Sequence, residues 1–262
     1  MKRTILVLPD SHAKPGVSQR RYKVLGKFIS QLRPDIVLDL GDFGDFPSLS
    51  IYDGARSMGG SGGNLAFEGR RYKNDIAAVI EAQELINQGL KGLAKKPKLI
   101  GLHGNHEARV ARAVSHTPEL EGVLSLDDMQ RAEFGWEMFP FLERTKVQGF
   151  IVSHYFVSGL MGKSAATGER PALNLLKKTH QSCIQGHSHL WDTAQHTRGD
   201  GSKMQCFVAG CYVEPTFRES YAGPAFDMWG NGLTILRGAE NGYAHDGFEF
   251  ISTLKILKEF GG

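Results

Sequence analysis

The sequence predicts an α/β fold in which two β-sheets pack face to face with helices outside them. Three observations carry this. Strand and helix signals alternate through the first hundred residues. From Phe134 onward the chain turns to short β-rich segments with glycine between many of them. No linker divides the chain, so residues 1–262 read as one domain.

Taken in order, "TILVLP" (Thr4–Pro9) is a continuous apolar run, the pattern of a strand buried on both faces. Ser18–Leu32 places Val24, Leu25, Phe28, Ile29 and Leu32 at helical spacing and stops before Pro34. "DIVLDL" (35–40) is a second buried strand. Tyr72–Leu90 carries Ile76, Val79, Ile80, Leu85 and Ile86 on one helical face, and "KLIGLH" (98–103) is a third strand. Right-handed crossovers make these three strands parallel. Helical stretches follow from Glu107 through Val114 and around Leu126–Ala132. The later β segments are 147–153, 182–185, 190–196, 204–209, 231–237 and 244–251, interrupted by one helix at Pro171–Lys178. Between 46 and 71 lies "FPSLSIYDGARSMGGSGGNLAFEGRR", a glycine-rich insertion too long for an ordinary connection and expected to be flexible.

Composition excludes several classes. Hydrophobic content of 41% and charged content of 23% are those of a globular protein, and the net charge of +3 demands no nucleic acid. Cys183, Cys206 and Cys211 form no CxxC pair, which argues against a disulfide framework or a thiolate zinc site and for a reducing cytoplasm. The apolar run of "MKRTILVLPD" is too short for a signal peptide, and no stretch reaches the length of a membrane span. "GLMGKS" (159–164) has Val157 where a P-loop needs glycine, and "GGSGG" (59–63) lacks the strand and helix of a nucleophile elbow. His116, His180, His196 and His245 stand outside any motif and are expected at the surface. Trp136, Trp191 and Trp229 read as packing residues, with Trp191 near the mouth of whatever site His189 belongs to.

The chemistry sits where the strands end. The first runs into Asp10-Ser11-His12, the second into Gly41-Asp42-Phe43-Gly44-Asp45, the third into Gly104-Asn105-His106-Glu107. "FIVSH" ends in His154, and "CIQ" runs into Gly186-His187-Ser188-His189. Ligands of open α/β sheets bind at the carboxyl ends of the strands. Carboxylate, imidazole and amide donors without thiolate suit manganese, iron or zinc, and there are enough of them for two ions with one aspartate bridging. The motif glycines are read as sharp exits from strand to loop.

D-x-H, G-D-x-x-D, G-N-H-E, a later H and G-H-x-H in this order resemble the calcineurin-like metallophosphoesterase superfamily, over about residues 4 to 190. The resemblance implies a four-layer α-β-β-α sandwich of two mixed sheets with flanking helices and a dinuclear centre. Asp10, His12 and His189 would hold one metal; Asn105, His154 and His187 the other; Asp42 would bridge. His106 would contact substrate or protonate the leaving oxygen, with Asp45 as its hydrogen-bond partner. Manganese is the expected ion, with iron, zinc, nickel or cobalt as alternatives. The implied reaction is hydrolysis of phosphomonoesters or phosphodiesters, nucleotide-type substrates favoured, by a metal-bound hydroxide. Arg109 or Arg112 would clamp a phosphate oxygen, or else lie on a solvated helix face.

"GDFGDF" departs from the G-D-x-x-D-R-G of protein serine/threonine phosphatases, and "GDFGDFPSLS…GNHEARVAR" is closer to calcineurin-like proteins of phage and prophage genomes. The compartment implied is the cytoplasm of a bacterium or phage-infected host. Two alternatives remain: a DNA or RNA nuclease on the same centre, which Arg56, Arg70 and Arg71 of the insertion keep open, and a non-catalytic metal-bound binding module.

Overall fold

The computed structural model describes residues 1–50, 71–159, 162–216 and 222–261. The first sheet is built on β1 (Arg3–Leu8), β2 (Ile36–Asp39), β3 (Lys98–Leu102) and β4 (Trp136–Phe139), all parallel neighbours in that order. Two helices make the crossovers, α1 (Arg20–Leu32) and α2 (Tyr72–Leu90), and α3 (Ala108–His116) starts just past β3. The second sheet receives β5 (Thr145–Val147), β6 (Phe150–Val152), β9 (Cys183–Gln185), β10 (Trp191–Thr197) and β11 (Lys203–Ala209) in the order β10-β11-β9-β6-β5. Its three central strands are parallel and its two edges antiparallel. Between β6 and β9 come a short hairpin, β7 (Val157–Ser158) with β8 (Lys163–Ser164), and α4 (Pro171–Thr179). The chain then returns to the first sheet, where β12 (Gly232–Glu240) pairs antiparallel with β1, β13 (Tyr243–Ala244) and β14 (Phe248–Ser252). It ends in α5 (Thr253–Phe260).

Three apolar cores hold four layers together. Alternate residues of one strand serve two of them, because successive side chains leave a strand on opposite faces. Leu6 and Leu8 of β1 face the helices, packing with Leu25 and Ile29 of α1, Ile86 of α2 and Ile256 of α5. Ile5 and Val7 face inward and meet Phe150, Ile184 and Phe207 of the second sheet. On that sheet's far side, Cys183, Met204, Cys206 and Val208 pack against Ala172, Leu175 and Leu176 of α4. The order is helix, sheet, sheet, helix, as expected from the sequence. Among the described residues no helix is long and apolar enough to cross a membrane.

Several elements differ from the sequence reading. The Leu126–Ala132 stretch is one tight turn, Leu126–Met129, capped by a reciprocal Ser125–Asp128 box and ended by a left-handed Gln130. That stop aims Arg131 into the protein, where its guanidinium lies between the rings of Phe43 and Trp136 at 4.2 and 4.1 Å. The segment 147–153 is not one strand but the turn and second strand of the β5–β6 hairpin, with Gln148 and Gly149 both at positive φ. Strand β4 and helix α5 were not expected; each is too short for its period to show above the background. The insertion expected at 46–71 falls, from 51 to 70, outside the described residues.

Helices α1 and α2 approach at two glycines. A Cβ on Gly89 would stand 2.1 Å from the backbone carbon of Gly26, and one on Gly26 would stand 2.6 Å from the carbonyl oxygen of Ile86. Backbone cannot yield as a side-chain tip can, so Gly89→Ala must push the helices apart. The expected cost is about 1–3 kcal/mol, the range for overpacking. Urea unfolding followed by circular dichroism measures it, and an unchanged midpoint would show that the helices do not meet there.

Candidate metal centre

All five motif ends converge at one edge of the two sheets. The exits of β1 and β9 are joined by Asp10 Oδ2, which accepts the backbone N–H of His187 at 2.7 Å. The exits of β2 and β3 are joined by Asp42 Oδ1, which accepts the backbone N–H of His106 at 2.8 Å. His154, just after β6, donates from Nδ1 to the carbonyl of Leu40 at 2.9 Å, tying the second sheet to the first. That bond turns its Nε2 toward Asp42 Oδ2 (3.4 Å) and Asn105 Oδ1 (2.9 Å). His187 Nδ1 lies 2.7 Å from the same Asn105 oxygen. On the other side, His12 Nε2 and His189 Nε2 face each other at 3.2 Å, and His189 Nε2 is 3.2 Å from Asp10 Oδ2.

Donor atoms of Asp10, His12 and His189 lie within 4.8 Å of one another, as do those of Asp42, His154 and His187, and those of His12, Asp42 and His106. Ligands about 2.1 Å from a common ion are spaced on this scale. Buried His and Asp clusters that could hold a metal ion are therefore present. Asp42 belongs to groups on both sides. Asp10 Oδ1 is fully buried and has no hydrogen-bond partner among the described residues, an uncompensated acceptor on a carboxylate whose Oδ2 faces His189.

The backbone at these ligands is strained. Asp10, His12, Asp42, His187 and His189 have φ of 22°, 49°, 50°, 68° and 58°. Side chains at positive φ cost on the order of 1 kcal/mol or more each, so five approach the lower bound of a domain's net stability. Gly41 makes the sharp exit expected of a motif glycine, at φ of 95°; at the other exits the Asp and His residues make the turns themselves, and two further motif glycines leave room. A Cβ on Gly104 would lie 2.1 Å from Asp42 Oδ1, and one on Gly186 would lie 2.2 Å from Asp10 Oδ1.

Two buried charges fix that backbone. Glu107 accepts N–H bonds from Asp42 (3.0 Å), Gly44 (2.9 Å) and Gly104 (2.8 Å), so one carboxylate gathers the exits of β2 and β3. Arg21, from α1, donates to the carbonyls of Ser11 (2.6 Å) and His12 (3.0 Å), and Tyr22 adds its hydroxyl to Ser11 at 2.9 Å. The G-N-H-E motif showed Glu107 but not this work; nothing around Arg21 marks it out in the sequence.

The electrostatics solicit positive charge. Burial opposes ionisation of Asp42, but the neighbouring His154 and His106 overcome it and hold the carboxyl well below the usual range. His154 resists protonation through its burial, yet Asp42 draws a proton onto it and pushes it up to about 10. His187 is pushed down to about 4 by burial and by the His154 charge, which leaves its lone pair free to bind a cation. Burial and the Asp42 charge push Glu107 up to about 7.

His106 Nδ1 is 2.9 Å from Asp45 Oδ1, and Asp45 Oδ1 also reaches His12 Nδ1 at 3.3 Å. Burial lowers the affinity of His106 for its proton, but Asp42 and Asp45 outweigh it and raise its pKa. Arg109 is half-buried and not free. Its Nη1 donates to the carbonyl of Asp45 at 2.7 Å and its Nη2 lies 3.1 Å from His106 Nε2. Arg112 is exposed and donates to the carbonyl of Asn105 at 2.8 Å.

No family model matches the chain, and no curated protein matches it. One solved crystal structure is similar at 12% identity and a TM-score of 0.42, covering 97% of this chain and 100% of its own. The crystal structure of TT1561 of Thermus thermophilus is similar at 9% identity and a TM-score of 0.36, with the same coverage. At that level neither likeness bears on the site.

The aromatic rim differs from the expected one. Trp191 is turned away, its Nε1 donating to Thr234 at 3.2 Å and its ring lying 4.9 Å from Phe250. Trp229 takes the place at the site, its ring edge-on to His189 at 4.1 Å. Tyr155 stacks on His187 at 4.4 Å, and sequence spacing gave no sign of it. His116, His180, His196 and His245 are exposed as expected, as is Arg71; Arg56 and Arg70 lie outside the described residues.

Two outcomes follow. A cation entering the centre must displace the proton drawn onto His154 and any share held by Glu107, so its affinity should rise with pH from 6 to 9, by about tenfold per unit. Titration of manganese in buffers of different ionisation enthalpy reads the released proton; a pH-independent constant would exclude His154 as a ligand. Glu107→Gln substitutes an amide donor for one acceptor facing the three N–H groups. Manganese affinity should then fall about 10–100-fold, the usual cost of losing a partner behind a ligand; wild-type affinity in a folded variant would deny Glu107 that role.

Proposed function

We propose that this centre holds two divalent cations, manganese first among the candidates, and hydrolyses phosphoesters, with nucleotide-type monoesters or diesters as substrates. The observation that carries the reading is the sharing of Asp42 between donor groups on both sides, with His106 beside it. Asp10, His12 and His189 would hold one ion, and Asn105, His154 and His187 the other. When bound, such ions supply Lewis-acid charge for phosphoryl oxygens and lower the pKa of water toward neutrality.

The chain's own part is positioning and proton transfer. Asp45 holds the His106 ring by Nδ1, which leaves Nε2 as the atom that can carry a proton to the leaving oxygen. In the resting site Arg109 Nη2 faces that nitrogen. An incoming phosphoryl group is a stronger partner for a guanidinium than a neutral imidazole. Substrate would draw Arg109 away and free Nε2, which would take up a proton from solvent and pass it to the leaving oxygen. Trp229 and Tyr155 supply aromatic walls at the two outer histidines, surfaces that suit a nucleobase or aryl group.

Asp42→Asn and His187→Ala should each lower manganese-dependent hydrolysis of an aryl phosphate by about a thousandfold or more, the scale of losing a charge-stabilising group. Circular dichroism should show an intact fold. Full activity in both folded variants would sink the dinuclear reading. Running monoester, diester, cyclic nucleotide, and single- and double-stranded DNA in parallel separates phosphatase, phosphodiesterase and nuclease; metal binding with no turnover on any of them would instead mark a binding module.

A further inference from the structure

A second cavity lies away from the metal centre, on the outer side of the second sheet. It has a volume of about 680 Å³ and is walled by β5, the β7–β8 hairpin and the C-terminal end of α4. Arg144 and Lys146 line one wall, and Lys177 and Lys178 the other, with His180 at the rim. No carboxylate is among the described residues that line it, and Glu143, next in sequence to Arg144, is not part of it. None of the four permanent cations ends in an ion pair among the described residues; Lys178 donates to the carbonyl of Ala165 at 3.1 Å. The guanidinium of Arg144 lies over the ring of Phe156 at 5.8 Å, which holds it at the wall.

The dipole of α4 accounts for part of this charge. A helix C-terminus carries the equivalent of about half a negative charge and is commonly matched by lysine. Lys177 and Lys178 exceed that, and Arg144 and Lys146 come from another element altogether. Like charges gathered round a concavity repel one another and raise the local concentration of anions. The floor between them is apolar, formed by Ile151 and Phe156 with Val157 beside them. The volume is in the range of small-molecule and cofactor sites and exceeds what a lone phosphate fills.

We propose that this cavity binds a nucleotide-sized phosphoanion, free or as one unit of a nucleic-acid strand, with its phosphates between the two cationic walls and its apolar part on the Ile151–Phe156 floor. The proposal does not rest on the metal-centre reading. It is tested by the binding of a fluorescein-labelled oligothymidylate, followed by anisotropy in the presence of a chelator so that divalent ions take no part. Lys146→Glu with Lys177→Glu reverses one charge on each wall. Affinity should fall at least about tenfold, and the slope of log affinity against log salt should flatten by about 1.4 for two lost phosphate contacts on a single strand. Should that double variant fail to fold, Lys146→Glu alone, on the exposed β5 position, should flatten it by about half as much.

Adenosine monophosphate should compete with the label, and inorganic phosphate should do so far more weakly. A competition constant for the nucleotide below the dissociation constant of the strand identifies a free nucleotide as the occupant; tighter binding of the strand identifies nucleic acid. Equal competition by inorganic phosphate would overturn the nucleotide-sized class. Unchanged affinity and salt slope in a folded charge-reversed variant would overturn the site. Hydrolysis of a small aryl phosphate should be the same in these variants as in the parent, so a failure here is distinct from a failure of the metal centre.

Discussion

One buried carboxylate sets the backbone on which the candidate metal centre depends. Glu107 takes three N–H bonds from Asp42, Gly44 and Gly104, and in doing so pins two parallel strand exits to each other. Without it the left-handed turn at Asp42 keeps only the bond from the His12 N–H to its carbonyl, at 3.0 Å, and the one from the His106 N–H to its side chain. Arg21 does the complementary work at the exit of β1, giving donors to carbonyls where Glu107 gives acceptors to N–H groups. The centre is therefore held through main chain, by one negative and one positive group that are themselves buried.

Burying charge this close to a site costs free energy unless it is matched. Asp39 at the end of β2 is pushed up to about 6 by burial, although Arg131 beside it pulls the other way. Arg131 in turn lies between the Phe43 and Trp136 rings, whose faces favour a cation that has lost its water. Phe43 belongs to the same loop as Asp42, so the pair also packs the floor of the second motif. Arg131 faces Asp39 and Glu107, whereas Asp42 and Asp10 draw their proton onto His154. A divalent cation among these donors would take the place of that proton.

Much of the architecture was legible because it depends on local pattern. The runs at Thr4–Pro9, 35–40 and 98–103 are apolar on both faces, and both faces are buried, against the helices and against the second sheet. The candidate ligands stood out in the sequence for a different reason: a polar residue straight after such a run has no core to join. What stayed hidden depends on partners outside the local pattern. Nothing near Arg21 says that it will reach Ser11 and His12, and nothing near Trp229 says that it will meet His189 forty residues away. Trp191 was misplaced because nearness in sequence was taken for nearness in space, whereas strand alternation turns it toward Thr234 and Phe250.

The G-H-x-H segment shows how far local geometry departs from the simplest reading of its spacing. On an extended strand His187 and His189 would project from the same side. Strand β9 has already ended at Gln185, however, and both histidines occupy left-handed turns, at φ of 68° and 58°. Between them Ser188 donates its N–H back to the carbonyl of Gly186 at 2.8 Å. The chain curls instead of extending, and the two rings part. His187 goes to Asn105 and Tyr155, His189 to His12 and Trp229. A strand edge would have turned both imidazoles to one donor cluster; two strained turns two residues apart let three residues reach both clusters.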